Sequence, residues 1–119
     1  KPSLVAAHYN LAFIHRSQGR PVEAERELLE VLRYRPEYAE AHMNLGVIYT
    51  GLNRLDEAEQ SYERAVALKP NYAEAHYNLG VFYELHRKDL PKALAQYHQY
   101  LDLGGRDDRV KRIVGSGGR

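Results

Sequence analysis

Apolar and small residues return along this chain at helical spacing, and the whole pattern returns every 34 residues. His8, Asn10 and Leu11 recur as His42, Asn44 and Leu45, and again as His76, Asn78 and Leu79. Within the middle copy, His42, Leu45, Gly46 and Tyr49 stand at i, i+3, i+4 and i+7, one face of a helix. Ala58, Tyr62 and Ala65 mark one face of a second helix. A fixed period of this kind is the signature of a stack in which each small unit buries its apolar face against its neighbours.

The punctuation divides each unit in two. Pro36 is placed to open a helix, where its missing N–H costs nothing. The helical run extends from Ala39 to about Thr50, and Gly51-Leu52-Asn53 breaks it. A second run is expected from Glu57 to about Leu68, with Asp56 favouring the positive N-terminal end of its dipole. Lys69-Pro70 then closes the unit. Helices of about twelve to fourteen residues are marginal in isolation, so packing must hold them. Gly46, Ala58 and Ala65 let the two backbones approach, and Leu45, Tyr49 and Tyr62 fill the space around them.

Counted from Ala39, the residues His42, Leu45, Gly46, Tyr49, Ala58, Tyr62, Ala65 and Pro70 resemble the tetratricopeptide repeat family, with His42 standing where Trp is most typical. The first unit places His8, Leu11, Ala12, His15, Ala24, Leu28, Val31 and Pro36 in the same positions. The third places His76, Leu79, Gly80 and Tyr83, gains one residue near Asp89, and resumes with Ala93 and Tyr97. Tyr100 occupies a position usually small, and Gly104-Gly105 replaces the closing Pro. The resemblance implies an all-α fold: an α-solenoid of antiparallel helix pairs in a right-handed superhelix, six helices plus a short C-terminal helix. Its expected divisions are a leader (1–4), three repeats (5–38, 39–72 and 73–106), a C-terminal capping helix (107–114) and a flexible tail (115–119). Asp107 or Asp108 is positioned to cap that last helix, with Val110, Ile113 and Val114 on one side. The competing reading makes it the start of a fourth repeat.

Composition removes several function classes. Net charge is +1, so no strong field favours nucleic acid or an anionic membrane. The charge is unevenly spread, with a local +3 over residues 104–119 and −2 over the rest. The absence of cysteine excludes disulfides and thiolate chemistry. The longest uncharged stretch, Ala41 to Asn53, is too short and polar to span a bilayer, so no membrane insertion is expected. No signal peptide is visible, and a chain beginning at Lys1 reads as a fragment. Either a cytoplasmic or a periplasmic location suits such a soluble chain.

Candidate chemistry lies on a second stripe of each first helix, offset by two residues or about 200° around the axis. The resemblance implies that this stripe faces a concave groove. It comprises Ala6, Tyr9, Asn10, Phe13 and Arg16 in the first repeat, Glu40, Met43, Asn44, Val47 and Thr50 in the second, and Glu74, Tyr77, Asn78, Val81 and Glu84 in the third. An amide side chain donates and accepts at once, so it can grip a peptide unit in two places. The three Asn resemble the asparagine ladder of O-GlcNAc transferase superhelices. The competing reading makes them intramolecular, with first helices packing on one another. Glu40, Glu74 and Glu84 would make the groove mildly acidic and suit a partner bearing Lys or Arg. Arg16 is the sole base on the stripe, which argues against a clamp for a terminal carboxylate.

No metal, cofactor or catalytic site is expected. His8, His42 and His76 stand on the packing stripes of successive first helices, and packed helices lie about 8–10 Å apart, whereas zinc needs nitrogens at about 2 Å. No phosphate loop, nucleophile elbow or HExxH motif is present. The reading is a non-enzymatic protein-interaction scaffold that binds a protein or peptide in the groove. Its alternatives are a structural segment of a longer array, self-associating through its ends, and the substrate-presenting arm of a larger transferase.

Overall fold

The computed structural model describes residues 2–117, and side-chain environments for residues 4–116. Seven helices account for nearly all of the described residues: α1 (Pro2–Ser17), α2 (Pro21–Tyr34), α3 (Ala39–Gly51), α4 (Leu55–Leu68), α5 (Ala73–Leu85), α6 (Leu90–Asp102) and α7 (Asp108–Gly117). They pair into hairpins α1–α2, α3–α4 and α5–α6. The chain divides into two compact units, Lys1–Lys69 and Pro70–Arg119. In the first, α3 also packs on α2; in the second, α7 packs on α6.

Helix ends follow local chemistry. Pro21 and Pro91 sit in the first turns of α2 and α6, where a missing N–H is harmless. Pro36 and Pro70 do not open helices, contrary to the sequence expectation; they lie in the turns before α3 and α5. A residue preceding Pro is driven out of the helical region, so Arg35 and Lys69 end α2 and α4 instead. The α4 helix starts at Leu55, two residues earlier than expected, which puts both Asp56 and Glu57 in its first turn.

The hairpin turns share one device. Gly19, Asn53 and Lys88 occupy the same repeat position, each with positive φ. The following N–H closes the turn in each case: Arg20 onto the His15 carbonyl, Arg54 onto Tyr49 and Asp89 onto Tyr83. The extra residue of the third repeat is absorbed in this turn, between the end of α5 and Lys88. Asp89 then caps α6 by accepting from the Lys92 N–H.

At both ends the helices run into segments expected to lie outside the repeats and the capping helix. Residues 2–4, expected as a leader, form the first turn of α1, opened by Pro2. Gly115–Gly117 belong to α7 rather than to a tail. Lys1, Gly118 and Arg119 lie outside the described residues.

The core is built from the repeated small and large positions. Ala24, Leu28 and Val31 of α2, Ala58, Tyr62 and Ala65 of α4, and Ala93 and Tyr97 of α6 are all buried. Gly46 and Gly80 are packed against tyrosine rings. A Cβ on Gly46 would lie 2.6 Å from the Tyr62 ring, and one on Gly80 2.5 Å from Tyr97. The first hairpin sets Ala12 and Leu28 at the same two positions, both buried. A methyl gained on one helix is matched there by a smaller side chain on the other.

A candidate peptide-binding face

In the first unit, α1 and α3 place the expected groove residues side by side. Tyr9 stacks on Tyr38 with centroids 5.3 Å apart, and Phe13 meets Tyr9 edge-on at 5.2 Å. Phe13 remains 48% exposed, so the cluster presents an aromatic shelf to solvent. Asn10 is exposed beside it and has no side-chain partner among the described residues. Between the helices lies a cleft with about 10 Å³ of free space, walled by Tyr9, Phe13, Arg16, Asn44 and Ile48 above Leu28. That is room for roughly one water-sized group.

Asn44 is used differently from Asn10. It is 6% exposed. Its Nδ2 donates to the Tyr9 hydroxyl and to the Glu40 carbonyl, both at 2.9 Å, and its Oδ1 accepts from Arg16 at 3.2 Å. Both amide hydrogens are therefore committed, and the side chain ties α1 to α3. Met43 is buried as well, while Glu40 and Val47 are half-buried. In the second unit, Glu74 is exposed and Tyr77, Asn78 and Val81 are half-buried. Tyr77 packs against Tyr100 at 5.2 Å and Tyr97 at 6.4 Å. Burial, with Asp107 nearby, holds the Tyr77 hydroxyl above its ordinary pKa.

The acidic groove expected from sequence is reduced by internal pairing. Glu40 is bonded to Lys69 at 3.1 Å. Glu84 accepts from the Tyr97 hydroxyl at 2.6 Å and is paired with Arg109 of α7. Glu74 alone of the three is exposed. The spacing of charges along a helix could not reveal this, because Lys69 lies just beyond the end of α4 and Arg109 on α7.

The recurrent histidines staple the fold. His42 Nε2 bonds the Pro36 carbonyl at 2.9 Å, and His76 Nε2 bonds that of Pro70 at 2.7 Å, so each fixes the turn that leads into its own helix. On their other side, His8 meets Glu27 at 2.6 Å and His76 meets Gln96 at 2.7 Å, bridging the two helices of a hairpin. Among the described residues no three His, Asp or Glu side chains converge as a metal site would require.

Sequence reasoning missed three contributors to the first unit's face. Tyr38 precedes α3 and so fell outside any helical stripe, while Leu28 reaches the cleft floor from α2. Ile48, one turn beyond Asn44, was the one member a wider stripe would have included.

Paired helices in register, with an aromatic and amide-bearing face on the first of each pair, define a helix-hairpin repeat protein. The tetratricopeptide repeat profile matches residues 9–73 and 51–108, and the chain belongs to that family. Among solved structures, MamA is similar with a TM-score of 0.86 and 25% identity, over 97% of this chain and 67% of that one. A mutant O-GlcNAc transferase of Thermobaculum terrenum is similar with a TM-score of 0.84 and 26% identity, over 95% of this chain. This chain spans only 22% of that transferase chain. Among curated proteins, none matches. The tetratricopeptide fold is a protein-interaction and scaffold module, and its repeats are in general not catalytic. No helix among the described residues is long and apolar enough to cross a membrane.

Proposed function

We propose that this chain docks an extended protein segment. In the first unit the segment lies along Tyr9, Asn10, Phe13, Glu40 and Val47, with Met43 and Asn44 supporting that surface from below. In the second unit the corresponding surface is Glu74, Tyr77, Asn78 and Val81. The observation that carries this reading is the half-exposed aromatic shelf beside an unpaired amide. A large ring kept at the surface next to a two-way hydrogen-bonding group suits a ligand that offers both side chains and main chain. Asn44 acts here as a positioning residue, because its amide already holds Tyr9 and Arg16 in place.

Peptide-display selection on the full chain, repeated on Asn10→Ala/Phe13→Ser, tests the proposal. Both residues are exposed, so the variant is expected to keep its unfolding midpoint. Selected peptides should lose at least about tenfold in affinity, the scale of one lost hydrogen bond plus buried apolar contact. Equal binding by the variant would reject the face.

A second reading is favoured by the likeness to a transferase chain several times longer. In it, the repeats are an arm of a larger protein and the docked segment is that protein's substrate. The same face would serve.

A further inference from the structure

Among the described residues that line the first unit's small cleft, Arg16 is the one that carries a fixed charge. Apart from it, α1 offers no Asp, Glu or Lys across Pro2–Ser17, and α3 offers only Glu40. Glu40 is already paired with Lys69 at 3.1 Å. Arg16 faces no carboxylate. Its partner is the neutral Asn44 amide, bonded through one nitrogen at 3.2 Å, which leaves the rest of the guanidinium fork open. That single bond also holds the group at the rim of the small cleft, rather than letting it swing freely in water.

We infer that the docked segment is acidic, with a small apolar side chain entering the cleft and an Asp or Glu on Arg16. This rests on the docking reading above and specifies its partner. The cleft is lined by Tyr9, Phe13, Leu28 and Ile48, and its free space fits the tip of one small side chain and no more. Phe13 and Arg16 are three residues apart on α1, or about 4.5 Å along the axis. An extended chain advances about 3.3 Å per residue, so the acid falls one or two residues from the apolar one. The fork geometry of Arg favours a bidentate carboxylate over a single acceptor, and the bond is charge-assisted. The partner chemistry is thus opposite to the basic segment that the row Glu40, Glu74 and Glu84 had suggested.

The test is a random-peptide display library selected separately on the full wild-type chain and on Arg16→Glu. Arg16 is exposed, and the unfolding midpoint of each variant verifies that it folds. Wild-type selections should be enriched in Asp or Glu within two residues of Ala or Val. Selections on Arg16→Glu should replace that acid with Lys or Arg. For a wild-type peptide, changing the acid to its amide or Arg16 to Gln should each weaken binding by about tenfold, and the two changes together by no more than either alone. Peptides that need Phe13 and Asn10 but ignore both changes would overturn the acidic inference and leave the docking face standing. Enrichment of basic peptides on the wild type would overturn it too. A library yielding no binder would overturn both.

Discussion

Two hairpins of this chain, α3–α4 in the first unit and α5–α6 in the second, are built on the same wedge and finished differently. In each, a glycine of the first helix lies flat against a tyrosine of the second, Gly46 on Tyr62 and Gly80 on Tyr97. The tyrosine hydroxyl then reaches the same repeat position, filled by Thr50 in one case and Glu84 in the other. Thr50 bonds Tyr62 and turns back to its own helix, donating to the Gly46 carbonyl at 2.8 Å. Glu84 takes the Tyr97 hydroxyl on one oxygen and gives the other to Arg109 of α7. The apolar wedge is the repeated part. Its polar end is the part each unit adapts: turned back onto its own helix in the first, outward to one more helix in the second. In the first hairpin the same position is Arg16, which reaches to Asn44 of α3.

The strongest way to break the comparison is to remove the wedge. Gly80→Ala gains helix propensity of about 1 kcal/mol, but its methyl meets the Tyr97 ring, which is fully buried and tied at its hydroxyl. The net effect expected is a loss of roughly 1–3 kcal/mol, as for an overpacked core. Gly46→Ala should cost less, because Tyr62 retains some exposure and a neutral partner. Gly46→Ala/Tyr62→Leu copies the Ala12 and Leu28 pair of the first hairpin and should recover most of the loss. Urea unfolding of the single and double variants measures this. A double variant less stable than Gly46→Ala alone would show that the pairs are not interchangeable.

The wedge was legible in the sequence, because Gly46, Gly80, Tyr62 and Tyr97 fall on helical stripes that repeat. So were the hairpins themselves. What could not be read were the pairings that cross from one element to another. Glu40 finds Lys69, Glu84 finds Arg109, and Asn44 takes up Tyr9 and Arg16. A period gives each residue its face, but not the group it meets across it. The three Asn share a register, yet Asn10 is exposed and Asn44 is buried. The irregular end of the third repeat was hardest, because Tyr100 and Gly105 each depart from the pattern and make sense only together.

Alkaline titration sharpens the contrast between the tyrosines' polar ends. Burial raises the Tyr62 hydroxyl from its ordinary 10.0 to about 12, and burial with Glu25 nearby raises Tyr49 to about 12. Burial, reinforced by Glu84, raises Tyr97 further. A raised folded-state pKa means that the unfolded chain loses its proton first. The stability these groups contribute is therefore whole below pH 10.0 and is lost as pH climbs through the raised values. Unfolding midpoints should hold steady from neutral pH to about 10.0 and then fall. Tyr62→Phe should shallow that fall, and Tyr97→Phe should shallow it while also costing about 1 kcal/mol at neutral pH for the lost bond to Glu84. An unchanged alkaline slope in Tyr62→Phe would remove Tyr62 from this explanation.

The smallest effect is expected where α7 begins. The Tyr100 ring lies against Gly105, where any Cβ would collide with it, and its hydroxyl accepts from the Arg106 and Asp107 N–H groups at 3.1 Å each. Asp107 in turn caps α7 by accepting from the Val110 N–H at 3.0 Å. The large residue at a normally small position and the glycine at a normally proline position are thus one device, a tyrosine that takes over the closing turn and presents the next helix. Val110, fully buried, stands at the repeat position of Ala41 and Ala75, which is how α7 seats on α6 as an additional first helix would. Tyr100→Phe keeps the ring over Gly105 and removes only the acceptor. Because Arg106 is exposed and water can replace the hydroxyl there, the loss should be about 0.5–1 kcal/mol or less, concentrated in α7. Amide hydrogen exchange should quicken from Val110 onward while α5 and α6 keep their protection. Equal acceleration across α5, α6 and α7 would mean that Tyr100 supports the hairpin itself rather than the seating of the helix that follows it.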